Sequence, residues 1–448
     1  MIQRDIINDL EQWRNDDFRQ PLILRGARQV GKTTTVMHFG RSFANFLHLN
    51  LEESDSAKRL FLAETDINSR LEQIFLYCGV VKKDGDTLLF IDEIQQSTKA
   101  IAMLRYFYEK RPDIHVIAAG SLLENAVDMN ESFPVGRTQY LAMRPCSFKE
   151  FATAIGLRDK LGYSCEHPET SQSFHAELTD AFKRYLIVGG MPRAVAHYVA
   201  RRDLTVVEND HRALLQAYRD DAEKYTRRGK MNDIVRLILQ KGWTDAGKIV
   251  HLGSYGGTNH SAGDVKSACS LLSKAMLLEL VYPTTSTLLP AWGETRRTPK
   301  LLWLDTWLVN YVAHIRSEII TAGNILDVWK GSIAEQVVGQ ELLAINNDID
   351  HHRAFWSRGN GRDAAEVDFV WTHKSSLFPI DVKAGHNSHL RSLHSFIDRS
   401  PVTLAVRVWS NPFQVDDIFT TQGRKSFRLL SVPFYMVGNL DALIDRYS

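Results

Sequence analysis

The segment Pro21-Leu-Ile-Leu-Arg-Gly-Ala-Arg-Gln-Val-Gly-Lys-Thr-Thr-Thr constrains the chain more than any other. A short apolar run of strand character meets a turn framed by Gly26 and Gly31, and Lys32, Thr33 and Thr34 open a predicted helix. Strand, glycine turn and helix start form the context in which the G-x-x-x-x-G-K-[ST] spacing carries chemistry. Gly26, Ala27, Arg28, Gln29, Val30 and Gly31 can curl so that their backbone N–H groups converge on an anion at the positive end of the following helix. Lys32 is placed to reach β and γ phosphate oxygens, and Thr33 to offer its hydroxyl to Mg²⁺. ATP with Mg²⁺ is the expected ligand pair, and the expected fold class is α/β with a parallel sheet.

About sixty residues later, Thr87-Leu-Leu-Phe-Ile-Asp-Glu-Ile-Gln reads as a fully buried parallel strand ending in two carboxylates. Asp92 is expected to hold Mg²⁺, and Glu93 to orient or deprotonate an attacking water. The next apolar run, Ile114-His-Val-Ile-Ala-Ala-Gly-Ser, ends in Ser121. That residue either senses the γ phosphate or caps the helix that follows, and both roles can hold together.

With 448 residues the chain should form two to four domains, and its 44% hydrophobic and 24% charged content is that of a folded protein. A formal net charge of +1 gives no global attraction to nucleic acid, so any DNA contact needs local basic patches. Cys78, Cys146, Cys165 and Cys269 are widely spaced and form neither a zinc pattern nor a disulfide framework, which fits a reducing compartment. The amino-terminal MIQRDIINDLEQWRN lacks the character of a secretory signal, and no apolar run approaches the roughly 18 residues of a membrane span. A cytoplasmic location without membrane partners is expected.

Residues 170–215 alternate apolar and charged positions at helical spacing around Gly189-Gly-Met-Pro192, as a helical lid would. Helices are then predicted over Asp233–Trp243 and Ala246–Leu252, and the stretch Ala262–Leu280 contains a third, with Val265, Cys269, Leu272 and Met276 on its apolar stripe, that runs into the strand-like LLELVYP. Three helices and a strand suggest a winged helix, with Lys266, Lys274, Arg296, Arg297 and Lys300 available to phosphates, or the same module serving a protein partner. The run around Lys224, Tyr225, Arg227, Arg228 and Lys230 is either a solvated linker or a stacking platform for single-stranded nucleic acid.

Past Gly331 the pattern becomes a helix carrying Glu335, then strands Ala365-Glu-Val-Asp-Phe-Val-Trp and Leu377-Phe-Pro-Ile-Asp-Val-Lys. Alternation puts Val367, Phe369 and Trp371 on one face and Glu366 and Asp368 on the other, while Asp381 and Lys383 share a face. Glu335, Asp368 and Asp381 are candidate Mg²⁺ ligands, and Asp368, Asp381 and Lys383 candidate catalytic groups, in a pattern similar to the PD-(D/E)XK nucleases. Val367 stands where many of those enzymes have proline, and the same Asp and Lys could simply form cross-strand ion pairs. His386, His389 and His394 lack zinc-helix spacing and read as surface residues.

Taken together, GARQVGKTT, IDEIQ, AAGSLLE, Gly136-Arg137, Pro145-Cys-Ser-Phe-Lys-Glu-Phe and Gly189-Gly-Met-Pro192 resemble bacterial and archaeal AAA ATPases with a carboxyl-terminal domain of unknown function. The resemblance implies an AAA core over 1–155 and a helical lid over 156–215. It also implies a restriction-endonuclease-like α/β tail, placed at 316–448 behind the winged helix at 216–315. It suggests a homo-oligomer in which Arg137 either reaches a neighbour's ATP as a finger or is an ordinary exposed arginine. Arg193 is a weaker candidate for contact with nucleotide, with helix capping as its other reading. The expected function is Mg²⁺-dependent ATP hydrolysis coupled to action on DNA, or a nucleotide-controlled switch binding a protein partner through an inactive tail.

Overall fold

The computed structural model describes residues 2–62, 66–120, 136–225, 229–314, 318–319, 332–359, 364–383 and 390–448. The chain forms two compact units, one of Arg4–Arg144 with Asn346–Asp350, the other of Met1–Gln3, Pro145–Ile345 and His351–Ser448. Among the described residues no helix is long and apolar enough to cross a membrane.

The first unit is built on five strands: β1 (Leu22–Arg25), β2 (Asn45–Asn50), β3 (Thr87–Asp92), β4 (Ile114–Gly120) and β5 (Gln139–Ala142). They lie in the order β2-β3-β4-β1-β5, and every pairing is parallel. Every residue of β3 and β4 is buried, as continuous apolar runs in a sheet covered on both faces require. Leu47, Leu49, Leu89 and Ile91 pack with Leu71, Ile74, Leu104 and Phe107 of the helices Ile67–Cys78 and Thr98–Lys110. Because the strands are parallel, the ends of β1 and β3 open at the same sheet edge with β4 between them, which is where ligands bind in such sheets. The short segment Asn346–Asp350 completes this unit: Ala142 N donates to Asn347 O at 2.8 Å, and Asn347 Nδ2 to Asp9 Oδ2 at 2.6 Å.

The second unit contains a mixed eight-stranded sheet in the order β12-β13-β11-β10-β9-β8-β6-β7. Its strands are β6 (Leu278–Thr284), β7 (Lys300–Trp303), β8 (Ala354–Arg358), β9 (Ala365–His373), β10 (Ser376–Val382), β11 (Leu404–Trp409), β12 (Gln414–Phe419) and β13 (Ser426–Pro433). The helix Ser332–Ala344 precedes an antiparallel meander of β8, β9 and β10; the helix Arg391–Ile397 then leads to β11, parallel to β10.

Two expectations for the middle of the chain change. Ala246–Leu252 is not a helix: Ala246 and Ile249 bridge to Leu301 and Lys300, because a neighbouring strand offers these residues backbone partners. The helix expected within Ala262–Leu280 is there but ends at Lys274, short of Met276, and the strand-like run that follows it is β6 from Leu278. Moreover β6 pairs in parallel with β8, Tyr282 opposite Ala354, so one sheet runs across the boundary expected at 315/316.

The helices expected to form a lid, Arg158–Glu166, His175–Val188, Pro192–Arg201 and Leu204–Tyr225, belong to this second unit. Buried polar groups tie the helix Ser332–Ala344 to β7, to the helix Thr306–Val312 and, through Tyr185, to His175–Val188. Gln336 exchanges two 2.8 Å hydrogen bonds with the backbone of Trp303, and Gln340 Oε1 accepts from the N–H and hydroxyl of Thr306 at 2.6 Å. Glu341 accepts from Phe148 N at 3.1 Å and lies 2.7 Å from the Tyr185 hydroxyl. The Gly189-Gly190 turn fits this packing closely: Gly190 N donates to Asp305 Oδ2 at 2.7 Å, and a Cβ on Gly190 would stand 2.3 Å from Cys146 O.

Candidate functional site

Between β1 and the helix Lys32–Phe39, the loop curls under the start of that helix, with Gln29 and Gly31 at positive φ (64° and 97°). Gly26 approaches the chain so closely that a Cβ there would stand 2.5 Å from Met143 O. Lys32 is buried, and its ammonium donates to Gly26 O at 2.8 Å and Ala27 O at 3.1 Å. Burial pulls its pKa down to about 8, against the opposing pull of Glu93 and Asp92. The Thr33 hydroxyl donates to Asp92 Oδ2 at 2.7 Å, so the two expected Mg²⁺ ligands meet at the mouth of the loop. A hydroxyl beside a buried carboxylate is the oxygen donor set a hard cation takes, and the site fits Mg²⁺ on that ground.

Glu93 follows β3 at φ 50°, its N–H donating to Asp92 Oδ1 at 3.0 Å and its Oε2 accepting from Gln95 Nε2. Burial raises its carboxyl pKa, which makes it a stronger base once ionised. The loop has one further support that no motif announced. Buried Arg4 donates to Val30 O at 3.0 Å and to Arg144 O at 2.6 Å, tying the loop to the end of the unit. An arginine aimed at two carbonyls leaves no periodic trace in a sequence.

The phosphates favour the charged form of Lys32, so nucleotide affinity should fall as pH rises past about 8 and the free protein loses that proton. Binding near pH 9 should take up a proton. Calorimetric titrations in two buffers of different ionisation enthalpy would show this uptake, and Lys32→Arg should abolish it.

Arg137 is partly exposed, and its Nε lies 2.7 Å from Glu109 Oε1 within the same unit. Arg193 Nε pairs with Asp210 Oδ1 at 2.9 Å, as a residue fixing neighbouring helices does. Ser121, Arg227, Arg228, His386 and His389 lie outside the described residues. His394 sits in the helix Arg391–Ile397, its ring nitrogen accepting from Thr421 N at 3.2 Å.

The second unit gathers Glu335, Glu366 and Asp368 around Lys300. The lysine ammonium lies 2.8, 2.8 and 3.6 Å from these carboxylates, with its side chain 3% exposed. Asp368 Oδ2 also accepts from Val382 N at 2.7 Å, while Asp381 pairs with Lys383 at 2.6 Å. Burial, then the charge of Asp368, pushes Glu335 to about 8 and Asp381 to about 7. Burial disfavours the Lys300 ammonium, yet Glu335, Asp368 and Glu366 outweigh it and raise its pKa. The cluster thus already holds a cation, and as arranged it does not fit a resident Mg²⁺; among the described residues no group of three metal-ligating side chains is set to hold a metal.

The expectation that Lys300 contacts DNA phosphates therefore gives way, because its strand buries it. Other expected phosphate contacts are also engaged internally. Arg297 donates to Ser357 O at 3.1 Å, Lys230 pairs with Asp264 at 2.6 Å, and the Lys266 ammonium lies 5.4 Å over the Tyr282 ring.

A glycine-rich loop between a parallel strand and a helix, with lysine, threonine and an acidic strand end converging on it, defines a P-loop nucleotide-binding unit. Residues 18–152 match a family model described as an AAA domain. Residues 179–319 and 330–418 match two models described as domains of unknown function (DUF8612 and DUF4143). Among solved structures, a Walker-type ATPase of Pyrococcus abyssi is 13% identical with a TM-score of 0.42, over 70% of this chain and 96% of that one. The Holliday junction branch migration motor RuvB of Thermotoga maritima is 17% identical with a TM-score of 0.28, over 62% of this chain and 90% of that one. No curated protein matches the chain.

Proposed function

We propose that the protein hydrolyses ATP at the P-loop unit and uses the change of nucleotide state as a switch read by a protein partner. The observation that carries the first part is the 2.7 Å contact of Thr33 with Asp92, with Glu93 next in the chain and Lys32 at the loop. Thr33 and Asp92 would hold Mg²⁺, which when bound offsets charge on the phosphates. The loop N–H groups orient the phosphates, Lys32 neutralises them, and Glu93 accepts a proton from the attacking water. In an assembly of identical chains, Arg137 would supply positive charge to a neighbour's site once released from Glu109. The four cysteines are free thiols, which fits the cytoplasm.

Action on DNA is the accompanying reading, supported by the helices Lys230–Lys241 and Ala262–Lys274 that lead into the β6–β7 edge of the sheet and by the order of helix, meander and crossover in the second unit. The switch is favoured over it because Lys300, Arg297, Lys230 and Lys266 are engaged within the protein. The test is ATP turnover with and without Mg²⁺ and DNA, for wild type and Lys32→Ala. Turnover should require Mg²⁺, fall to background in Lys32→Ala, and ignore DNA. DNA-stimulated turnover would return the DNA reading to first place, and Mg²⁺-independent turnover would sink the assigned ATP site.

A further inference from the structure

The pattern Glu335, Asp368, Asp381-x-Lys383 calls for a divalent metal if it is to act on a phosphodiester. The side chains around it have made another arrangement. Lys300 opens β7, and its backbone is fixed by pairing with Val281 and by the bridge to Ile249. Its side chain runs beside Phe355, with the ammonium 4.6 Å from that ring's centre, and ends among Glu335, Glu366 and Asp368. An ammonium has three N–H donors, and three carboxylates surround this one. The anchored backbone and the buried stem hold the ammonium among these carboxylates.

We propose that Lys300 is the resident cation among Glu335, Glu366 and Asp368, occupying the space that a divalent ion bound to those three carboxylates would need and, by its charge beside Asp368, keeping the nuclease-like centre metal-free. A metal bound to these oxygens would need oxygen distances of about 2.0–2.6 Å. That would place it against the ammonium, two cations sharing one small buried space. The lysine also does what a metal cannot do alone: it belongs to the chain, and so joins β7 to β9 and to the helix Ser332–Ala344. The cluster is then a permanent electrostatic joint, and the Asp381–Lys383 pair adjoins it through the hydrogen bond between Asp381 and Asp368.

Manganese binding to the full-length chain tests this, read by water-proton relaxation without nucleotide and in an Asp92→Asn background that removes the ligand at the ATP site. That background should show no Mn²⁺ site at millimolar concentration. Adding Lys300→Met should create one site per chain, and adding Asp368→Asn as well should remove it. A Mn²⁺ site already present with Lys300 intact, and lost on Asp368→Asn, would overturn the proposal. So would a folded Lys300→Met chain that gains no site, because the lysine would then not be what excludes the metal. Should Lys300→Met fail to fold by circular dichroism, the comparison with Lys300 intact still decides: no site dependent on Asp368 supports the proposal, and such a site refutes it. Mg²⁺-dependent DNA cleavage lost in Asp368→Asn would refute it equally.

Discussion

Glu93→Gln should lower ATP turnover by about 10²- to 10⁴-fold, the contribution of a positioned general base, while nucleotide affinity stays within a few-fold of wild type. Glutamine keeps the shape and can still bond to Gln95, but it cannot take a proton from water. The carboxylate is well placed to act as a base, since its backbone is fixed by the contact with Asp92 Oδ1 and burial raises its basicity. Single-turnover hydrolysis beside equilibrium binding of a fluorescent nucleotide separates the two effects. A matching loss of affinity would instead mean that Glu93 builds the binding site, and near-normal turnover would remove it from the chemistry.

The second large effect is on folding and centres on Glu341. Tyr185 Oη lies 2.8 Å from Cys146 O and 2.7 Å from Glu341 Oε1, and accepts from Gln340 Nε2 at 2.8 Å. A phenol has one hydrogen, so it cannot donate to both oxygens. A protonated Glu341 resolves this: its O–H donates to Tyr185, whose own hydrogen goes to Cys146 O, while Oε2 accepts from Phe148 N. Burial supports that assignment, pushing Glu341 from 4.5 to about 7. Its folded pKa is thus raised, so this stability is complete below about 4.5 and is lost as pH rises through about 7.

Glu341→Ala should cost about 2–4 kcal/mol, because Phe148 N and the Tyr185 hydroxyl each lose a partner in a buried site. Glu341→Gln can donate to Tyr185 and accept from Phe148, and should remain near wild type at pH 5 while losing less stability toward pH 8. Denaturant midpoints at the two pH values check both variants. A Glu341→Gln chain as unstable as Glu341→Ala at pH 5 would mean that the proton is not on this carboxyl.

What could be read from the sequence was chemistry confined to neighbouring residues. A phosphate loop needs its glycines, lysine and threonine within one turn of chain, and β3 needs its acids at one end, so both were visible as local strings. Asp381 and Lys383 were legible as a pair for the same reason. Lys300 was not, because its meaning comes from Glu335, Glu366 and Asp368, all distant in sequence; alone beside Arg296 and Arg297 it resembles a basic loop. The one local hint was that it begins the buried run Lys300-Leu-Leu-Trp. Ala246–Leu252 misled in a similar way, since its apolar spacing suits a short helix until β7 supplies backbone partners. Gln336, Gln340 and Glu341 belong to no motif, and only the packing shows that each is buried and engaged.

The return of Asn346–Asp350 to the first unit has a consequence for synthesis. A ribosome delivers all five strands of the nucleotide unit by Ala142, yet the segment that pairs with Ala142 and Asp9 emerges only after the chain has passed through much of the second unit. The nascent unit must wait with the β5 side of its sheet unfinished, and a fragment ended near residue 155 would keep that side bare permanently. Grafting Asn346–Asp350 onto such a fragment, rather than trimming its ends, is the rational way to obtain the nucleotide unit alone.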